Sequence, residues 1–258
     1  MQMFIIAVGA VPTLFSLAVY PSVSFKAALC LLGSGASCGF YYVSLGRGYR
    51  VADFTTVYPA ARALPVLIVG IADAFRGRAP SPVGWVGLFL VSAGCFLSPL
   101  NSFADFRLRH YWKPASAWIL FAAMGTVGYS VFDKIGAEAI PRGSRETAVY
   151  CYLFFAATAV SYIPLQALPG NRGRREPEVG WRIPAIAGTL CFLAYWLVLC
   201  AYQMLERASY VVAFRQFSIV IGVVVAFVLF DEPGKIVRIT GSIVITIGLI
   251  LLKVFGEQ

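Results

Sequence analysis

Apolar runs long enough to cross a bilayer as helices alternate along this chain with short polar gaps. Residues 1–25 hold no charged side chain, no basic leader and no small-residue cleavage site, so they predict a spanning helix and not a signal peptide. Further spans are predicted over 27–45, 51–75, 83–100, 115–132, 147–168, 183–205, 210–230 and 239–252, the last extended by Val237 and Val254. Between them, Gly46-Arg47-Gly48-Tyr49-Arg50 predicts a turn, and Arg76 to Pro82 breaks the chain with two prolines. Asn171 to Trp181 predicts a solvated loop. Within the second span, Gly35 and Gly39 form a GxxxG face suited to close helix packing.

Composition agrees with this pattern. Of 258 residues, 59% are apolar and 13% charged, and the mean hydropathy is +0.78, too little charge for the surface of a soluble domain. The alternation of a transmembrane β-barrel is absent, so the fold class is an all-α membrane protein, a polytopic bundle of nine predicted spans. The net charge of +9 sits mostly in the gaps, as membrane topology requires, and does not point to nucleic acid. Lys and Arg divide almost evenly between alternate gaps, so they set no orientation. Cys30, Cys38, Cys95, Cys151, Cys191 and Cys200 all lie in apolar runs, as small hydrophobes do. His110, the single histidine, has no partner at ligand spacing, so no metal and no cofactor are expected.

A repeat organises the chain. Arg62 precedes Pro80 by 18 residues, as Arg215 precedes Pro233, and Gly87 and Gly94 are seven apart, as are Gly241 and Gly248. On that register, spans 1–25, 27–45, 51–75 and 83–100 pair with 147–168, 183–205, 208–230 and 237–254, and 115–132 has no counterpart. The expected domains are therefore a first repeat over 1–100 with four helices, a polar linker over 101–114, and a second repeat over 115–258 with five. A missing opening helix would make Met1 an internal methionine of a longer gene product. Five helices per copy would invert the two copies relative to the membrane. The copies are imperfect: Ala79 stands where the second has Glu232, so the acidic elbow Asp231-Glu232-Pro233-Gly234 occurs once.

Glu206-Arg207-Ala208-Ser209-Tyr210 leading to Arg215-Gln216, then Asp231-Glu232-Pro233 and Gly241 to Gly248, resemble the EamA family of the drug/metabolite transporter superfamily. Tyr58-Pro59-Ala60-Ala61-Arg62, Pro80 and Gly87 to Gly94 resemble its first repeat. The resemblance implies two five-helix repeats, ten helices with both termini cytoplasmic, and a transporter. This chain departs from it by one helix.

Arginine inside an apolar helix marks a functional candidate. Arg62 and Arg215 hold equivalent repeat positions, where two guanidinium forks would suit a carboxylate, phosphate or phosphonate. The alternatives are ion pairs with Asp53, Asp133 or Glu206, or snorkelling to the interface. Tyr58, one turn before Arg62, together with Gln216, Tyr129 and Trp196, completes the candidate substrate-binding set. Asp133 is a coupling candidate, its alternative being an interfacial charge at a helix end.

The expected function is a secondary transporter that moves a small organic solute, anionic or zwitterionic, by alternating access. No Walker-type sequence occurs, so the energy would come from a gradient or an exchange. A flippase, or flippase subunit, for a lipid-linked sugar is the alternative. A membrane enzyme fits less well, because one histidine and scattered carboxylates make no catalytic cluster. Membrane lipid and a small-molecule substrate are the expected partners, a homodimer is a further assembly the sequence allows, and the expected location is the plasma (inner) membrane.

Overall fold

In lipid, backbone N–H and C=O groups must bond within their own segment, and the long apolar runs do so as helices. The computed structural model describes residues 5, 6, 8, 23–51, 54–98, 100, 102, 114–167, 180–229 and 234–256. The predicted first span, the 101–114 linker, the arginine-rich loop at 172–175, Asp53 and the Asp231-Glu232-Pro233 elbow lie outside the described residues, wholly or in most of their length. The helices are α1 Phe25–Val51, α2 Phe54–Phe75, α3 Pro82–Leu97, α4 Pro114–Ala139, α5 Ser144–Ala167, α6 Arg182–Met204, α7 Ala208–Phe214, α8 Phe217–Leu229 and α9 Lys235–Phe255. Among the described residues every regular element is a helix.

Among the described residues, five segments are long and apolar enough to cross a bilayer: Phe25–Arg50, Ser144–Ala167, Arg182–Met204, Ala208–Phe227 and Lys235–Phe255. On α6, Ile183, Ile186, Leu190, Leu193 and Leu197 form one exposed stripe at spacings of three and four, the face a helix turns to lipid.

Three boundaries differ from the sequence expectation. The Gly46 to Arg50 stretch is helical and not a turn: α1 runs on to Val51, with the Arg47 guanidinium 4.5 Å above the Trp118 ring. Two glycines weaken a helix by about 1 kcal/mol each, too little to end one that a cation–π contact holds. Helix α4 does not stop near Phe132 but continues to Ala139, which places Asp133 and Lys134 inside it. The predicted eighth span divides into α7 and α8 at Arg215-Gln216.

The residues fall into two compact units. One comprises 1–43 and 128–206, and the other comprises 44–127 and 207–258, so each draws on both predicted repeats.

In the first unit, small residues let α1 approach α4 and α5. A Cβ on Gly35 would lie 2.6 Å from that of Ala157, Gly39 faces the Ser161 hydroxyl, and that hydroxyl donates to the Gly35 carbonyl at 2.6 Å. On the α4 side, Gly33 lies under the Phe132 ring and Gly128 against Ser37. The GxxxG face is thus a packing face.

In the second unit, α3 and α9 cross through glycines. A Cβ on Gly87 would lie 3.0 Å from the Gly248 carbonyl oxygen, and one on Gly94 would lie 2.7 Å from that of Gly241. Ser81 caps α3 by accepting from the Gly84 N–H at 3.0 Å, with Pro82 in the first turn. Gly77 ends the α2 turn with a φ of +74°, where a side chain would be strained.

The elbow before α7 ties this unit together at one end. Asp73, buried at the end of α2, accepts the Ser209 N–H at 2.8 Å and lies 3.8 Å from the Arg76 guanidinium. Its charge meets the positive end of α7. Tyr210 donates to the Gly256 carbonyl at 2.6 Å, and Arg207 donates to the Ala79 carbonyl at 3.0 Å. Asp73→Ala removes the cap and is expected to lower stability by about 1–2 kcal/mol. Thermal unfolding in detergent measures this, and an unchanged midpoint would show that water caps the helix equally well.

Candidate functional site

The break between α7 and α8 begins with a change of hydrogen-bond pattern. The Gln216 N–H turns to the Ala213 carbonyl at 2.9 Å, and the Ile219 N–H to that of Gln216 at 2.9 Å, both three residues back instead of four. The Val212 carbonyl, which a continuous helix would bond to the Gln216 N–H, accepts instead from Gln216 Nε2 at 3.0 Å. A side chain thus replaces a backbone donor. Gln216 is buried and its Oε1 has no hydrogen-bond partner among the described residues.

At the break the Arg215 carbonyl loses the Ile219 N–H, which bonds Gln216 instead. It accepts from the Ser218 hydroxyl at 2.9 Å and from Arg62 Nη2 at 3.4 Å. Arg62 projects from α2, whose backbone is held against α3 by the Ser92 hydroxyl on the Ala63 carbonyl at 3.1 Å. The structure therefore brings Arg62, Arg215 and Gln216 together in the second unit. Tyr58 lies on α2 one turn before Arg62, and its side chain lies outside the described residues. Chemically, the arrangement joins guanidinium N–H donors to a backbone oxygen and a buried amide oxygen, which is what an oriented polar solute group requires.

The same unit holds an open groove of about 270 Å³ between α8 and α9, lined by Val220, Val223, Phe227, Ile239, Ile243 and Ile247 with Ser242 and Thr246. The Thr246 hydroxyl is bonded to the Ser242 carbonyl of its own helix. Its walls hold no charge to orient a solute, so the broken helix is the stronger candidate.

Tyr129, Trp196 and Asp133 lie in the first unit. Tyr129 is buried edge-on to Tyr41 and Tyr195. Trp196 donates its indole N–H to the Ser144 carbonyl at 2.8 Å, which satisfies a group at the start of α5. Asp133 is not an interfacial helix-end charge. It is 0% exposed, and its carboxylate accepts from the Tyr150 hydroxyl at 3.3 Å and from that of Tyr195. The interfacial reading fails because hydroxyls on α5 and α6 satisfy the carboxylate away from water.

Sequence reasoning passed over Tyr150 and the role of Lys134. Lys134 is 1% exposed, and its ammonium donates to the Tyr202 carbonyl at 2.6 Å and to that of Leu205, with Glu138 at 2.9 Å. It closes the C-terminal end of α6. The i, i+4 spacing of Lys134 and Glu138 was the one signal available.

Residues 113–254 match the model of the EamA-like transporter family. No curated protein matches the chain.

Proposed function

The chain belongs to the EamA-like transporter family and is a multi-pass membrane protein, and from that premise we propose a secondary transporter that moves a small organic solute, anionic or zwitterionic, by alternating access. The observation that carries this reading is the broken helix at Arg215-Gln216 with the Arg62 guanidinium on the Arg215 carbonyl. Non-helical backbone at membrane depth persists where protein or a water-filled cavity receives it, and transporters build solute sites from such breaks. An arginine there supplies a donor fork for a carboxylate or phosphate.

Two inverted repeats are part of the proposal, and the α3–α9 crossing supports them. Gly87, the first glycine of one copy, meets Gly248, the second of the other, and Gly94 meets Gly241 in turn. Such reciprocal pairing is what a two-fold axis generates. The copies would rock against each other around the solute, with the protein in the plasma (inner) membrane and a gradient or exchange as the energy source.

Uptake and efflux in sealed proteoliposomes, across a panel of anionic, zwitterionic and cationic solutes, tests the reading. Arg62→Ala is expected to insert normally and to raise the half-saturating concentration of an anionic or zwitterionic solute about tenfold to hundredfold, the loss of one charge-assisted bond. An unchanged apparent affinity would remove Arg62 from the site. Lipid scrambling without solute flux would favour a flippase.

A further inference from the structure

A carboxylate buried inside a helix of an apolar, multi-pass protein calls for an account of its charge. Asp133 is enclosed in the first unit by α4, α5 and α6. The two hydroxyls that reach it are positioned from behind. Tyr150 is fully buried and lies against Gly136, where a Cβ would come 2.6 Å from its ring carbon Cζ, so only glycine leaves the hydroxyl room to reach Asp133. Tyr195 is stacked on Phe154 at 4.5 Å and stands edge-on to Phe155 and Tyr129.

We propose that Asp133, with Tyr150 and Tyr195, forms a proton-binding site that is loaded and unloaded as the protein transports; the transport part of this rests on the function proposed above. A tyrosine hydroxyl both donates and accepts. As a carboxylate, Asp133 accepts from both tyrosines. As an acid, it donates its own proton to one tyrosine oxygen while accepting from the other. Both forms stay hydrogen-bonded with only hydroxyl rotation between them, which a structural ion pair does not allow. On loading, an O–H bond forms on Asp133 with a proton given up by water on one side of the membrane; on unloading that O–H bond breaks and the proton passes to water on the other side, so the cluster changes by one charge.

The surrounding groups fit this role. On α4, the ammonium of Lys134 is bonded to the end of α6 and to Glu138, and Tyr129 lies one turn before Asp133. On α5, Cys151 lies within electrostatic reach of Asp133, and from α1 Cys30 lies within that of Tyr150. Cys191 and Cys200 of α6 lie within the same reach of Cys151. A sodium ion would need several oxygen lone pairs turned toward it, whereas both hydroxyls here are turned toward the carboxylate as donors.

Infrared difference spectra of the protein in liposomes, taken between high and low pH, test the site. The wild type is expected to gain a carboxylic-acid carbonyl band on acidification. Asp133→Asn should lack that band, and Tyr195→Phe should shift it, since one hydrogen bond to the group is gone. An Asp133→Asn spectrum identical to wild type overturns the site; if that variant does not insert, an unshifted band in both Tyr195→Phe and Tyr150→Phe does so. Whichever solute of the panel is carried should change the band at fixed pH, because linked sites perturb each other reciprocally. An unresponsive band makes Asp133 structural. Absence of any solute flux with the band intact would overturn the transporter reading and leave the proton site standing.

Discussion

Gly94→Leu is expected to leave no folded protein after extraction into mild detergent, a loss of about 3 kcal/mol or more. The Cβ alone would come 2.7 Å from the Gly241 carbonyl oxygen, 2.9 Å from the Ile245 backbone nitrogen and 2.6 Å from Ile245 Cγ1. Two of these three are backbone atoms, so no rotamer change relieves the contact and the helices must separate. Separation forfeits the close van der Waals packing that holds membrane helices together, since lipid offers them no hydrophobic drive to associate. Gly94→Ala should be milder, about 1–3 kcal/mol. Gly46 supplies the control: nothing lies within 4 Å of a Cβ there, so Gly46→Ala should be neutral or gain about 1 kcal/mol of helix propensity. Size-exclusion profiles and thermal midpoints measure all three. A monodisperse Gly94→Leu with the wild-type midpoint would mean that α3 and α9 do not cross at these glycines.

Lys134→Ala is expected to cost about 3 kcal/mol, the second largest effect. The side chain is 1% exposed, and its ammonium satisfies two carbonyls at the end of α6 as well as Glu138. Truncation leaves those carbonyls without their donor, at about 1–3 kcal/mol for a buried group, and removes a buried stem. Glu138 adds less, because its side chain is 27% exposed and water can take over the lost ion pair. Glu138→Gln should therefore cost about 1 kcal/mol or less. Equal shifts in the two variants' unfolding midpoints would contradict this division and would place the energy in the ion pair.

How much of this was legible in the chain depends on how local each constraint is. The helical membrane character was, because a bilayer forces every run of sufficient apolar length to bond its own backbone, and five such runs among the described residues reach spanning length. The seven-residue glycine spacing was, because close backbone approach admits no side chain at those positions. Arg62 and Arg215 were noticed for the same kind of reason, a costly residue in an apolar run. That the two would serve one solute group was the expectation from their repeat positions; the bond of Arg62 to the Arg215 carbonyl was not legible, since it arises where α2 packs beside α7, and neither was the break itself. Phe214-Arg215-Gln216-Phe217 contains no glycine or proline, and the interruption rests on Gln216 bonding Val212 and on Arg62 and Ser218 taking the Arg215 carbonyl.

Asp133 and Lys134 show the same limit from the other side. Read along the chain, a charged pair after an apolar run looks like a helix end at the membrane surface. In the fold the helix runs on to Ala139, and both side chains are buried because partners on α5 and α6 receive them. The sequence by itself determined the all-helical membrane character, the family and the paired glycine spacings, all set by composition or by spacing within a single helix, whereas the crossing of α3 with α9 at those glycines was decided by the fold. Tertiary structure alone decided which polar groups lie away from water and in what company. The cost of desolvating such a group is met by atoms from helices distant in sequence, and no local pattern records which helices those are.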